Sequence, residues 1–248
     1  MGNPQHFSLE LPQRCLQLLE ELWPHAKNCL NAKNPELGSL TTTFLISMSI
    51  PIIVFPIERI ERHRYAQAKN YADDRHKNPE VAQSIIETLA GNKFEDAPFF
   101  AKDCWSFVRS PIFNISDRLP DDTANSLAAD DAFLAAKKMP TSQWCSILRN
   151  AMAHGGIGYL DNSGRTSEDQ PVTMLVFASG KYTGKGKYRT LTEINLLRIS
   201  TENYRIFLRS WVTWLKKENF IFNKPFDLPQ AGWLGGDFAA LDTEIIEP

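Results

Sequence analysis

Residues Leu45–Ile57 read LISMSIPIIVFPI, thirteen positions without a charge, and a folded chain must take such a run out of water. A membrane-spanning helix needs about 20 apolar residues. This run is shorter and is interrupted by Pro51 and Pro56. It is therefore expected to be a buried core helix, starting near Thr42 and bent near Pro51 or Pro56, with no membrane contact. The chain has 248 residues, 43% hydrophobic and 23% charged, which is enough to build a sizeable core and excludes a disordered polymer. A net charge of −2 excludes a bulk polycation that coats nucleic acid, so any such contact needs a local basic patch. The polar stretch Met1–Gln13 has no apolar signal core, which points to the cytoplasm and leaves the sequon Asn114–Ser116 idle. Cys15, Cys29, Cys104 and Cys145 are scattered without zinc-ligand or C-x-x-C spacing, so reduced thiols are expected.

Apolar periodicity predicts a helix over Leu9–Asn31, then the apolar helix, then a charged helix from Ile57 to His76. Asn78 and Pro79 open a further helix that Gly91 stops. The aromatic stretch Pro98–Val108 reads as helix, Ser110–Asn125 as a long loop, and Asp130–Lys138 as a short helix. A helix over Ser142–His154 follows. The period then shifts to two: Val172–Phe177 and Tyr188–Ile199 read as strands around a turn at Gly180–Gly186. Ser200 caps a last helix on which Tyr204, Phe207, Leu208, Trp211, Trp214 and Leu215 recur at three and four. The expected fold is mainly α: a helical bundle over residues 1–220 with a small β-hairpin (171–199) before its last helix (200–218). The tail from 221 to 248 is expected to be an irregular strap.

The most informative helix is Ser142–His154, SQWCSILRNAMAH, followed by Gly155 and Gly156. At about 100° per residue, Trp144, Ile147, Leu148, Ala151 and Met152 share a core face. Ser142, Ser146 and Ala153 form a small-residue stripe opposite. Such a stripe suits the close approach of a second helix, as in a dimer, and equally suits plain exposure to water. Arg149 flanks it on one side, Asn150 and His154 on the other, one turn apart. His154 stands in the last turn, where the helix dipole is negative, a place suited to a group that handles protons or merely caps a carbonyl. One fixed cation, one amide and one titratable group around one cleft match RNA cleavage by its own 2′-hydroxyl. That reaction needs a base, an acid and a cation for the charged phosphorane, with no cofactor and no metal. A single His does not easily serve as both acid and base, so two copies packed along the stripe would complete the set.

The segment Arg149–His154, RNAMAH at the end of an amphipathic helix, resembles the R-N-x-x-x-H motif of the HEPN superfamily. Phe44–Arg59 and Leu196–Trp211 resemble a bacterial branch of it, so that the likeness spans roughly Phe44–Lys217. The resemblance implies a helical bundle that dimerises through the motif helix. It also implies a metal-independent endoribonuclease of toxin–antitoxin or antiviral systems, with an antitoxin or defence-system partner, or an inactive relative. A chance R-x4-H match is expected about 0.3 times in a chain of this composition; the adjacent Asn and the Gly stop set this one apart. One branch has a Tyr two residues after the motif His. Here that position is Gly156, and Tyr159 is the nearest Tyr.

Glu58, beside Arg59, is a candidate to orient Arg149 or a plain surface ion. Lys181, Tyr182, Lys185, Lys187 and Arg189 cluster at the hairpin tip, able to grip phosphates and stack a base or simply to face water. Gly180–Gly186 lacks the strand-to-helix setting of a phosphate loop. The neighbouring acids Asp73 and Asp74, Asp121 and Asp122, and Asp130 and Asp131 point apart and make poor two-carboxylate sites. His63 and His76 lack a third ligand at metal spacing. Two function classes remain: a homodimeric endoribonuclease acting through Arg149, Asn150 and His154, or a dimeric module of the same kind that binds RNA, a nucleotide or a protein without cutting.

Overall fold

The apolar run and the charges behind it fix the first half of the molecule. In the computed structural model, which describes residues 4, 6–29, 40–67, 70–91, 93–168, 170–184 and 188–218, α1 (Phe7–Cys29) packs along α2 (Thr41–Arg59). α2 runs through both prolines as one helix, burying Leu45, Ile46, Ile52, Ile53, Val54 and Ile57. Pro56 has no N–H to give to the carbonyl of Ile52 one turn back. The indole Nε1 of Trp211 donates to that carbonyl instead, at 3.0 Å. By length and composition Thr41–His63 is apolar enough to cross a membrane, and half of that stretch is buried within the chain.

The charged helix expected up to His76 is not formed. α2 ends at Arg59, where Ile60 leaves helical geometry, and a single 3-10 turn spans Glu61–His63. Electrostatics turns the chain. The buried carboxylate of Asp74 takes both ends of the Arg59 guanidinium at 2.7 and 3.0 Å, and the Ser8 N–H and hydroxyl at 2.9 and 2.7 Å. The Asp74 N–H returns to the Arg59 carbonyl at 2.9 Å. Charge-assisted bonds of this kind are strong, and these pin the end of α2, α1 and the returning segment together.

α3 (Pro79–Leu89) begins as expected, with the Asn78 side chain accepting from the Val81 N–H at 3.2 Å. Beyond α3 the expectation of a mainly α bundle is overturned, because the chain builds a mixed α/β fold. Among the described residues seven α-helices accompany a four-stranded antiparallel sheet of order β1-β4-β3-β2. The strands are β1 (Ser106–Ser110), β2 (Ile157–Leu160), β3 (Met174–Thr183) and β4 (Thr190–Ser200). The predicted hairpin is the middle of that sheet, and two short strands sit on its edges. No helix forms over Pro98–Val108: turns run to residue 105, and β1 takes the last three residues of that stretch. Asp103 adopts a left-handed φ of 57° just before it, and from there Trp105 and Phe107 point alternately into the core, the period of a strand. Ser106 pairs with Arg198 and Arg109 with Asn195. The segment read as loop over Ser110–Asn125 also holds structure: α4 (Asp121–Ala128) follows Pro120 and carries Asp121 and Asp122 in its first turn, a start signal at the favourable end of the dipole.

Both faces of the sheet are covered, which explains the near-continuous apolar run in β4. Leu175, Phe177, Leu197 and Ile199 face the helical core. Leu160, Val176, Ile194 and Leu196 face a second cluster with Leu119, Ala124 and Leu127 of the α4 region. The main core is aromatic. Trp144 of α6 (Thr141–His154) stacks on Phe94 at 4.6 Å, while Trp105, Phe207 and Trp211 pack around it. α5 (Asp130–Lys138) packs on β1, and α7 (Thr201–Glu218) is capped by the Ser200 hydroxyl, which accepts from Asn203 N–H at 3.1 Å. The tail read as a strap, 221–248, lies outside the described residues.

Candidate functional site

α6 is anchored by its apolar face. Trp144, Ile147, Leu148, Ala151 and Met152 are buried. Gly155, at a left-handed φ of 70°, stops the helix. At Gly156 the backbone runs so close to β3 that a Cβ would lie 2.4 Å from the Ala178 carbonyl oxygen, and the Ala178 N–H bonds the Gly156 carbonyl at 2.7 Å. The helix end is thus sewn to the sheet, and His154 stands exposed at the junction. The same contact explains why a large residue does not stand at 156.

Between α6 and the β3–β4 hairpin lies a groove of about 540 Å³. Arg149, Asn150 and His154 line one wall. Ser179, Gly180, Tyr182 and Arg189 line the other, and Arg62 also borders the groove. Tyr159 lies outside this groove, on β2, and is 40% exposed. Asn150 does not hydrogen-bond His154. Its amide donates to the Ser179 hydroxyl at 3.2 Å, tying α6 to β3. Among the described residues no hydrogen bond or ion pair engages His154.

Glu58, at the end of α2, reaches two of the groove's arginines. Its Oε1 lies 3.0 Å from Arg149 Nε, out of line for a hydrogen bond, so the contact is one of charge. Its other oxygen accepts from Arg62 at 2.5 Å. That bond holds the proton on Arg62 and raises its pKa above the ordinary guanidinium value. Among the described residues the groove is therefore lined by three guanidiniums, Arg62, Arg149 and Arg189, and by no Asp or Glu, while Glu58 meets two of these arginines from outside the lining. Such an excess in a concave site favours an anion.

The hairpin cluster divides. Lys181 is engaged by Glu193 across the ladder, which holds the Glu193 carboxyl below its usual range. Lys185 and Lys187 lie outside the described residues. Tyr182 and Arg189 do reach the groove, with the Arg189 guanidinium 4.3 Å from the Tyr182 ring centre. Along the small-residue stripe, Ser146 and Ala153 are exposed and Ser142 is half-buried. The thiol of Cys145, on the same helix, is fully enclosed, and burial pushes its pKa far up, so it is no nucleophile.

Two polar groove residues were not singled out from sequence, Arg62 and Ser179. Arg62 stands four residues after Glu58, but the alternating charges there read as a solvated helix face. Ser179 carries no signal beyond strand periodicity. Asp73 and Asp74 each bind their own arginine, Arg75 and Arg59, and do not cooperate. Among the described residues no three His, Cys, Asp or Glu side chains converge as for a metal ion. Compared with known families, curated proteins and solved structures, the chain finds no match in any of the three.

Proposed function

We propose that this chain is an endoribonuclease of the HEPN-like R-x4-H kind, acting without a metal as a cytoplasmic homodimer in a toxin or antiviral system. One observation carries the reading: a single groove gathers Arg149, Asn150 and His154 with two further guanidiniums, Arg62 and Arg189, and Glu58 pairs with two of its three arginines. In the proposed reaction the 2′-oxygen of a ribose attacks the adjacent phosphorus. A P–O2′ bond forms, the P–O5′ bond breaks, and the products are a 2′,3′-cyclic phosphate and a 5′-hydroxyl. The 2′-hydroxyl proton leaves to a base and the departing O5′ receives one from an acid. Arg149 contacts the non-bridging oxygens and neutralises the charge that grows on the phosphorane. His154 moves a proton, and Asn150, held by Ser179, contacts the phosphate rather than the imidazole.

Among the described residues His154 has no hydrogen-bonding or ionic partner, and one imidazole does not fill both proton-transfer roles. A second copy seated on Ser142, Ser146 and Ala153 would bring a second imidazole to the same sugar-phosphate link. An antitoxin or defence-system protein is the partner this reading implies. The same lack of an orienting partner favours a second reading, in which the groove binds RNA, a nucleotide or a protein without cutting. Incubating purified protein with total RNA, with and without EDTA, separates the two. Cleavage lost in His154→Ala and Arg149→Ala and unaffected by EDTA supports the enzyme. Binding without new RNA ends supports the module, and a strict metal requirement contradicts the mechanism.

A further inference from the structure

Tyr182 sits where the β3–β4 ladder slips: Lys181 pairs with Glu193, but Tyr182 pairs with Leu191, so the register shifts between them. A bulge of this kind re-aims the side chain beside it. Here it sets the Tyr182 ring along the groove opposite Arg149 and His154. The Arg189 guanidinium lies against the ring at 4.3 Å, a contact that orients both groups. The residue remains 47% exposed, a large aromatic surface to leave in water. Gly180 makes room for it, since a Cβ at that position would come within 2.7 Å of the Tyr182 ring. Among the described residues no carboxylate pairs with Arg189, whereas Lys181 beside it is committed to Glu193.

From this geometry we infer that Tyr182 and Arg189 form a nucleobase platform: an unpaired base of the RNA stacks on the Tyr182 ring while Arg189 holds the neighbouring phosphate. The inference rests on the reading of the groove as an RNA site and adds what it selects. Stacking needs a base free of its helix, because a base in a duplex already has both faces covered. The substrate at this groove is therefore single-stranded, and the sheet, rather than the motif helix, supplies the selection. Arg149 acts on the scissile phosphate, and the platform fixes the adjacent nucleotide.

The test uses the full chain and a short single-stranded RNA, 2′-O-methylated throughout so that it resists cleavage and carrying one 2-aminopurine. Binding quenches its fluorescence if the base stacks. Wild-type protein and Tyr182→Phe should quench alike, Tyr182→Ala should bind about ten-fold more weakly, and an unlabelled duplex of the same sequence should fail to compete. Wild-type binding by Tyr182→Ala, equal competition by the duplex, or no binding at all each overturns the platform. Tyr182-dependent quenching without cleavage of unmodified RNA overturns the nuclease reading alone. Cleavage with the same KM in wild type and Tyr182→Ala overturns the platform alone.

Discussion

Arg149 Nε lies 3.0 Å from Glu58 Oε1, joining the motif helix to the end of the apolar helix across some ninety residues of sequence. Glu58 also holds Arg62, so one carboxylate fixes two guanidiniums at the groove. Glu58→Gln keeps the shape and removes the charge. Both ions are partly exposed, so stability should change by about 1 kcal/mol or less. A loosened Arg149 should lower kcat on RNA by about ten- to a hundred-fold, since small misplacements at a reacting centre are costly. Thermal melts beside steady-state cleavage check this; a stability loss with unchanged kcat would assign Glu58 to the fold alone.

Trp211 and Pro56 make a reciprocal pair through the Ile52 carbonyl. Trp211→Phe leaves that buried acceptor unsatisfied and should cost about 1–3 kcal/mol. Pro56→Ala restores an N–H one turn away. In the Trp211→Phe background it should recover part of the loss, and denaturant unfolding of the four proteins of the cycle measures it. Additive effects would mean that the carbonyl is not the shared element.

Gly156 is set by the Ala178 carbonyl rather than by its own φ. Gly156→Ala should destabilise the fold by about 1–3 kcal/mol through overpacking, because the atom it meets is backbone. Gly155→Ala meets open space and loses only the left-handed preference, so it should cost less, about 1 kcal/mol. Urea midpoints of the two variants rank them.

His6 is fully buried beside Asp74, and among the described residues neither ring nitrogen has a hydrogen-bond partner. Burial lowers its pKa, outweighing the pull of Asp74 and Glu10. The folded state then binds fewer protons than the unfolded chain, whose His titrates near about 6.5. Stability from this group is present above that value and is lost as pH falls through it. The Asp74 carboxyl, pushed up by burial but held lower overall by Arg59 and Ser8, adds a second loss as pH falls below about 4. A plot of unfolding free energy against pH should descend in both windows, and His6→Leu should flatten only the first.

Helices with a clean 3.6 period were legible: α1, α3, α5, α6 and α7 stand within a few residues of their expected bounds. The edge strands were not. Trp105, Phe107 and Val108 supply the apolar content of a helix, and only the pairing of Ser106–Val108 with Leu196–Arg198 makes the segment after Trp105 a strand. β2 is four residues long and exists because Gly156 lets the chain lie on β3. At the groove, Arg149 on one side of the small-residue stripe and Asn150 and His154 on the other were visible as one set on one helix. Arg62 was hidden because the helix expected to carry it ends at Arg59, and that ending depends on Asp74, fifteen residues away. Lys181 looked free because its partner Glu193 lies across the ladder.

The most direct test is cleavage of total RNA by the purified full chain in EDTA, wild type beside His154→Ala and Arg149→Ala, with the new ends mapped. The account predicts 2′,3′-cyclic phosphate and 5′-hydroxyl ends from wild type and none from either variant, all three proteins sharing one melting profile. Full cleavage by the His154→Ala protein would contradict it.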